Sequence, residues 1–130
     1  MTSRTGATTL RKDDHRSLVL RAADSAERVL PYFEEASPKD DRPRTAIEAA
    51  RAWVRGEMET SDVRAAAFAA HAAARDTPSP AARAAARAAG HAAATAHVAG
   101  HAVHAETYAA TAARAAAKAS RGRGTLSALR

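Results

Sequence analysis

The chain has 130 residues, of which 40 are alanine and only 15 are Leu, Ile, Val or Phe. This length suits one domain and excludes two comfortable ones. Alanine is the best helix former, so the composition predicts an all-α protein. Because large apolar side chains are few, the core must be built from close helix contacts between small side chains. Such a core predicts marginal stability, or stabilisation by an oligomer or a partner.

Charge is unevenly distributed along the chain. Residues 1–60 carry 11 basic and 11 acidic side chains, whereas residues 61–130 carry 9 and 3. The whole net charge of +6 therefore lies in the second half, with five of the six histidines. This asymmetry indicates an acidic partner, whether a protein, a nucleic acid or an anionic small molecule. The alternative is that a GC-rich genome, which favours Ala and Arg codons together, accounts for the arginines.

The sequence also bears on the cellular compartment. It contains no cysteine, so disulfides and thiolate metal ligands are excluded. Residues 1–16 contain no apolar stretch of the kind found in secretory signals. Residues 88–105 lack formal charge, but four histidines interrupt them, which argues against a membrane span. A cytoplasmic protein is expected.

The first helix is predicted by apolar residues that recur at steps of three and four. Residues 1–8 before it are expected to be a disordered leader. Thr9 or Asp13 is the expected N-cap. Pro31 is expected to kink or end this helix, because proline lacks the N–H that the helix needs.

Two further helices are predicted between residues 41 and 75. Asp41 is the expected cap of the second helix, and Gly56 is expected to end it. The third helix is expected to begin at Thr60 or Ser61 and to end near Arg75.

The remaining helical pattern is too long for one helix of a small globule. It begins at Ser79 and the proline after it, and it continues to Ala119. About 40 residues would span about 60 Å, whereas a domain of this size has a radius of gyration of about 14 Å. A break is therefore expected at Gly90 or Gly100, with the neighbourhood of Gly100 favoured. Residues 120–130 are expected to be a flexible basic tail.

The predicted architecture is a single helical domain over residues 9–119, with about five helices. It is either a compact antiparallel bundle or a short helical array. The array is suggested by the similarity between residues 64–75 and residues 83–95. Six large side chains are expected in the core: Leu18, Val29, Phe33, Ile47, Trp53 and Phe68.

Four stretches carry a resemblance to a known family: Ala22–Glu34, Asp40–Trp53, Arg64–Arg75 and Ala89–Ala102. They resemble the small helical family called putative immunity proteins, which is common in actinobacteria and related to the immunity proteins of polymorphic-toxin systems. The similarity runs from about Lys12 to Ala113, and D-x-R-P-R-x-A-I, beginning at Asp40, is its most specific part. The resemblance implies a helical fold and a protein that binds and neutralises a toxin or effector. It transfers no catalytic residue.

Three histidines form the sharpest chemical pattern. His97, His101 and His104 follow one another at steps of four and three, so an unbroken helix would place them on one face. Such a set can hold zinc, copper or nickel. The alternative is the polar, solvent-exposed or partner-contacting face of an amphipathic helix, and this interpretation is favoured. A break at Gly100 would separate the three.

His71 and His91 occupy similar positions in the two similar segments. They could meet across a helix pair and act as an acid–base group with a pKa near neutrality. The favoured alternative is a pair of hydrogen-bonded core histidines. In the charged turn, Arg42 could grip an anion, although a capped and salt-bridged turn also explains it.

The sequence lacks G-x-x-x-x-G-K-[ST], G-x-S-x-G and H-E-x-x-H, which excludes three common classes of hydrolase site. A binding protein is therefore expected rather than an enzyme, with a protein partner, no cofactor and no membrane. Nucleic acid is disfavoured because the basic residues are spread thinly, and a homo-oligomer remains open. The second hypothesis is a pocket that binds a small molecule or metal, lined by His71, His91, His97, Trp53 and Tyr108. The candidate binding residues are His71, His91, His97, His101, His104, Trp53, Tyr108, Arg42 and Arg75.

Overall fold

The computed structural model describes the backbone of residues 11–128 and the side chains of residues 11–123. Over this range the chain forms five α-helices and no strand. The prediction of an all-α fold with about five helices is confirmed. The expected leader, residues 1–8, lies outside the described residues. The helices are α1 (Lys12–Ala36), α2 (Arg42–Val54), α3 (Thr60–Arg75), α4 (Pro80–Ala94) and α5 (His101–Ala128).

The first helix differs from expectation at both ends. Its N-cap residue is Arg11, which makes no side-chain capping bond, and Asp13 lies inside the first turn. The other expected cap, Thr9, lies outside the described residues. Of the two outcomes expected at Pro31, a kink or an end, the end is wrong, because the helix continues to Ala36. Pro31 is exposed, so its ring faces away from the core while the neighbouring buried side chains keep the helix packed.

The other helix boundaries follow their local signals to different degrees. Ser79 Oγ accepts a hydrogen bond from the N–H of Ala82 at 3.2 Å, which confirms the predicted cap of α4. Gly56, with φ of +76°, follows the end of α2 as expected, because this backbone conformation suits glycine. Asp41 takes the N-cap position of α2, but its side chain makes no capping bond. The N-cap of α3 is Glu59, one residue before the expected Thr60.

The long helical pattern is interrupted next to Gly100, as predicted. The fourth helix ends at Ala94, a turn covers Thr95 to Gly100, and the fifth helix begins at His101. Gly90 lies inside α4 and does not interrupt it. At the other end, α5 continues to Ala128, past residue 120, where the flexible tail was expected to begin.

The helix α4 lies at the centre of the domain and contacts all four other helices. Ten of its fifteen residues are alanine, and nine residues, eight alanines and Gly90, are buried. A helix with such small side chains allows its neighbours to approach closely, since interaxial distance depends on side-chain size at the contact. The predicted core of close contacts between small side chains is therefore present, and α4 supplies most of it.

Contacts at the two ends of α4 define how the helices run. His15 Nε2, near the start of α1, donates a hydrogen bond to the carbonyl of Thr95 at 2.7 Å. At the opposite end, Ala36 and Ser79 line one groove with the last turns of α5. Arg21 Nη2 of α1 lies 3.9 Å from Glu106 Oε1 of α5. Consequently α4 runs antiparallel to both α1 and α5, and these two run parallel to each other.

Larger apolar side chains surround this alanine centre. Val29, Phe33 and Ile47 are buried as expected, whereas Leu18 and Trp53 are half-buried at the core's margin. Phe68 is 61% exposed, so its predicted core position is wrong. The buried line of α3 runs through Val63, Ala67, Ala70 and Ala74, and Phe68 lies about 100° around the helix from Ala67.

No helix in the described part of the chain combines the length and the apolar character that a bilayer crossing requires. This finding agrees with the expectation for residues 88–105. The two halves of that segment belong to different helices, separated by the turn before His101.

The close packing of α4 predicts that its buried alanines cannot be replaced by larger side chains without a loss of stability. Ala89 is fully buried, so Ala89→Leu would force extra methyl groups into a close helix contact. We expect a loss of about 1–3 kcal/mol in the free energy of unfolding, measured by urea denaturation. Ala65→Leu, at an exposed position of α3, is the matched control and should change stability by less than about 0.5 kcal/mol. Equal effects of the two substitutions would contradict close packing at α4.

Candidate functional site

Helices α3, α4 and α5 each carry one stripe of basic and aromatic side chains. On α3 the stripe consists of Arg64, Phe68, His71 and Arg75, at helical steps of four, three and four. Residues at such steps lie on one side of a helix. The α4 stripe consists of Arg83, Arg87 and His91, and the α5 stripe of His101, His104 and Tyr108.

Ring contacts bring the three stripes together around His91. Its ring centroid lies 4.8 Å from that of His71 on α3 and 5.3 Å from that of Tyr108 on α5. The His91 and Tyr108 rings are nearly parallel, at 7°. His101 and His104 lie 5.1 and 5.2 Å from His91. We call these five side chains, His71, His91, His101, His104 and Tyr108, the histidine cluster.

Hydrogen bonds fix the protonation of the cluster. Arg87 Nη1 lies 3.0 Å from His71 Nδ1. Because a guanidinium can only donate, Nδ1 of His71 must be the acceptor, and its ring proton is on Nε2 when the ring is neutral. His91 Nδ1 lies 2.9 Å from His101 Nδ1, so one of these two nitrogens donates and the other accepts. Two fully protonated rings could not make this bond.

The surroundings of the cluster favour neutral imidazoles. Burial and the positive charges of Arg87, His101 and Arg75 lower the pKa of His71 to about 4. Burial and the repulsion of His71, His101 and His104 lower the pKa of His91 to about 4 as well. Burial and its histidine neighbours also lower the pKa of His101. No carboxylate is among the described contacts of these rings to offset the repulsion.

These pKa values bear on the acid–base hypothesis. A general base works best when its pKa lies near the working pH. His71 and His91 do meet across a helix pair, as the similar segments suggested, but their pKa values of about 4 lie well below neutrality. Their contacts agree better with the favoured interpretation as partly buried, hydrogen-bonded histidines.

The weaker metal alternative finds no support in the geometry. Across the described residues, no group of three or more His, Asp or Glu side chains is arranged to hold a metal ion. The helix break places His97 in the turn before α5, where it is exposed, while His101 faces His91. His97 is therefore separated from His101 and His104, as the expected break near Gly100 predicts.

The remaining predicted site residues lie in other surroundings. The ring centroid of Trp53 lies 5.0 Å from that of His15, and Trp53 Nε1 donates a hydrogen bond to Thr60 Oγ1 at 3.1 Å. The predicted pocket lining is thus split: His71, His91 and Tyr108 come together, but Trp53 and His97 do not join them.

The two candidate arginines also differ in their surroundings. Arg42 donates to both carboxylate oxygens of Asp40, at 2.9 and 2.7 Å, and to Asp76 at 2.8 Å. The bonds from Arg42 lower the pKa of Asp40. Arg42 therefore connects the start of α2 to the end of α3, in keeping with its structural interpretation. Arg75 is exposed and belongs to the α3 stripe.

The sequence analysis did not identify two residues that contact the predicted site residues, Arg87 and His15. Arg87 precedes His91 by four residues, so helical spacing could have placed both on one face. His15 offered no such signal, because its partners Thr95 and Trp53 are distant in sequence and only the tertiary fold brings them near.

Comparison with protein families matches residues 8–127 to a family described as Imm-5 like putative immunity protein. The chain belongs to this family. The match confirms the resemblance seen in the sequence and extends it over most of the chain. Neither the comparison with curated proteins nor that with solved structures gave a match. Family membership supports a protein partner, and the histidine cluster of this family member adds a surface on which contact can be tested.

Close packing of His71 on Gly90 generates the first prediction for this site. A Cβ built on Gly90 would lie 2.6 Å from His71 Nε2, so Gly90→Ala must displace the ring and strain its bond with Arg87. In a helix this exchange alone would stabilise by about 0.5–1 kcal/mol. We expect that gain in a His71→Ala background and a loss in the native background. Urea denaturation of the native protein, the two single variants and the double variant measures the coupling energy between the two substitutions. Additive changes in the free energy of unfolding would contradict the contact.

The lowered histidine pKa values predict that stability decreases in acid. The unfolded chain binds protons near pH 6.5, whereas folded His71 and His91 bind them near pH 4. Stability is therefore complete above pH 6.5 and decreases as the pH falls towards 4. Allowing for screening at half-exposed groups, we expect a loss of about 1 kcal/mol per histidine between pH 7 and pH 5.

The control for this pH dependence is His97, which is exposed and outside the cluster. The double variant His71→Gln, His91→Gln should flatten the profile between pH 7 and pH 5, while His97→Gln should change it much less. His97 acts on the cluster by lowering the pKa of His101. Glu34 and Asp40 also have lowered pKa values, but they titrate below this window. A native profile that is already flat would refute the assigned protonation states.

Proposed function

We propose that this protein is an immunity protein that binds a toxin or effector protein and neutralises it by stoichiometric occlusion. The observation that carries the proposal is the family match over residues 8–127. A cytoplasmic site of action is part of the proposal, since the protein must meet its partner where the toxin would act.

The structure supports a binding role through its construction. Helices α3 and α5 pack on the alanine-rich α4, so the side chains on their outer stripes are held at fixed spacings. A preorganised surface loses less conformational entropy when it binds a partner. The side chains of that surface are cationic and aromatic, types that are enriched in protein interfaces.

The alternative function, a His-lined site for a small molecule, has narrower support. It rests on the convergence of His71, His91 and Tyr108. The ring centroids of His71 and Tyr108 lie only 4.8 and 5.3 Å from that of His91, and the predicted lining residues Trp53 and His97 lie elsewhere. The binding-protein hypothesis therefore remains the better supported of the two.

Co-expression tests the proposed function directly. A toxin domain encoded beside this gene should arrest growth of a host cell when expressed alone. Together with this protein, growth should be restored, and the two chains should co-elute as a complex of fixed stoichiometry in size-exclusion chromatography. The matched control is the toxin with the Ala89→Leu variant, which should protect less if folding is required. Continued arrest in cells that contain the folded native protein would refute the proposal.

A further inference from the structure

Most arginines of the first two helices are paired with carboxylates, whereas Arg28 contacts the backbone carbonyl of Asp24 and the hydroxyl of Ser25, both at 3.4 Å. Arg44 donates to both oxygens of Glu34, at 2.7 and 2.8 Å. Arg51 contacts Asp24 and Glu27 in a similar way. The remaining ion pairs of α1 and α2 are Arg16–Asp13, Arg21–Glu106, Arg42–Asp40 and Arg42–Asp76, and Arg55 pairs with Glu57 just after α2.

The arginines of the α3 and α4 stripes have contacts of another kind. The guanidinium of Arg64 lies 5.5 Å from the centre of the Phe68 ring. Arg83 donates to the carbonyls of Thr77 and Pro78, both at 3.3 Å. Arg87 contacts His71, as described above. Carbonyls, rings and neutral imidazoles accept these contacts without cancelling the positive charge.

No acidic residue belongs to any of the three stripes. The acidic residues from position 61 onward are Asp62, Asp76 and Glu106. Asp76 is paired with Arg42, and Glu106 lies near Arg21 of α1. Asp62 precedes Arg64 by two residues and thus lies about 200° around α3 from it. We call the surface formed by Arg64, Phe68, Arg75, Arg83, Arg87 and the histidine cluster the basic face.

Phe68 adds an apolar anchor to this charge. It is 61% exposed, beside Arg64, and its ring is rigid and large. Aromatic and arginine side chains contribute much of the binding energy in protein interfaces. A large exposed aromatic side chain on the same helix side as two exposed arginines is therefore more than a solvated charged stripe.

We propose that the basic face is the docking surface for an acidic protein partner, one that presents clustered carboxylates around an apolar pocket for Phe68. This assignment rests on the proposed function and specifies the surface and the chemistry of its partner. Carboxylates would pair with guanidinium groups that have no acidic partner among the described residues, so the charges of the two surfaces would be complementary.

The packing of the rings favours a protein over a single-stranded nucleic acid. Bases bind by stacking on accessible aromatic faces. Here the nearly parallel rings of His91 and Tyr108 stack on each other with an offset, their centroids 5.3 Å apart, so each partly covers one face of the other. His71 and His101 cover further sides of His91. The cluster offers hydrogen-bonding ring edges more than free stacking platforms.

The test uses two variants of the full chain that remove the same charge from opposite regions. The face variant carries Arg64→Gln, Arg75→Gln and Arg83→Gln. The control variant carries Arg16→Gln, Arg28→Gln and Lys39→Gln, at exposed positions of α1 and the turn after it. Glutamine retains side-chain length, and circular dichroism and thermal unfolding should show that both variants fold like the native protein.

The probes are a labelled polyglutamate peptide and a single-stranded DNA oligonucleotide of equal charge, followed by fluorescence anisotropy at low salt. We expect the native protein to bind the peptide, the face variant to bind about tenfold more weakly and the control variant to change by less than about twofold. Amide chemical shifts should change on α3, α4 and the start of α5. No peptide binding, or equal losses in both variants, would overturn the assignment.

Tighter binding of the oligonucleotide through the same face would also overturn it, by assigning the surface to nucleic acid. The growth assay separates this inference from the proposed function. If the face variant still neutralises the toxin and forms the complex, the docking surface is wrong and the immunity function stands. If the peptide results are as expected but the native protein gives no protection, the surface stands and the immunity function fails.

Discussion

The close packing of α4 against its four neighbours is the constraint on which the rest of the structure depends. Its buried positions carry only alanine and glycine, so the surrounding helices approach without large side chains between them. Larger side chains such as Phe33 and Ile47 then lie around this centre and exclude water. Each alanine buries little apolar area, and stability therefore depends on close fit over many small contacts rather than on a few large side chains.

The same close packing places the histidine cluster at its position on the surface. Gly90 lets the ring of His71 lie directly on the backbone of α4, and from there His71 reaches Arg87 and His91. The turn before His101 brings α5 back against α4, so His101 and Tyr108 complete the group. Residues that pack the helices together, such as His71, are thus also part of the candidate binding surface. Substitutions in the cluster must be tested for stability before any effect on binding is interpreted.

Ion pairing divides the molecule into two electrostatic regions. Most arginines of α1 and α2 are paired with carboxylates, and the pairs Arg42–Asp76, Arg44–Glu34 and Arg51–Asp24 connect elements of the fold. On the basic face, the arginine contacts are with Phe68, backbone carbonyls and His71, and positive charge remains. Such charge favours the approach of an acidic partner and fixes its orientation, more than it adds raw affinity. An aromatic anchor such as Phe68 would supply the affinity that charge alone does not.

The sequence by itself determined the helical class, the approximate extents of the helices, the break near Gly100, the cap at Ser79 and the family, because these depend on local spacing and on motifs read along the chain. It also located the excess positive charge in residues 61–130, since charge is a property of composition. It could not determine that Phe68 is exposed or that α1 continues past Pro31, whereas the separation of His97 from His101 and His104 follows from the predicted break. Alanine occupies both inner and outer positions of these helices, so periodicity alone does not identify the buried side. Only the tertiary structure decided which side faces α4, and with it the contacts of His71, Arg87 and His91, because those contacts join helices whose approach depends on the small side chains between them.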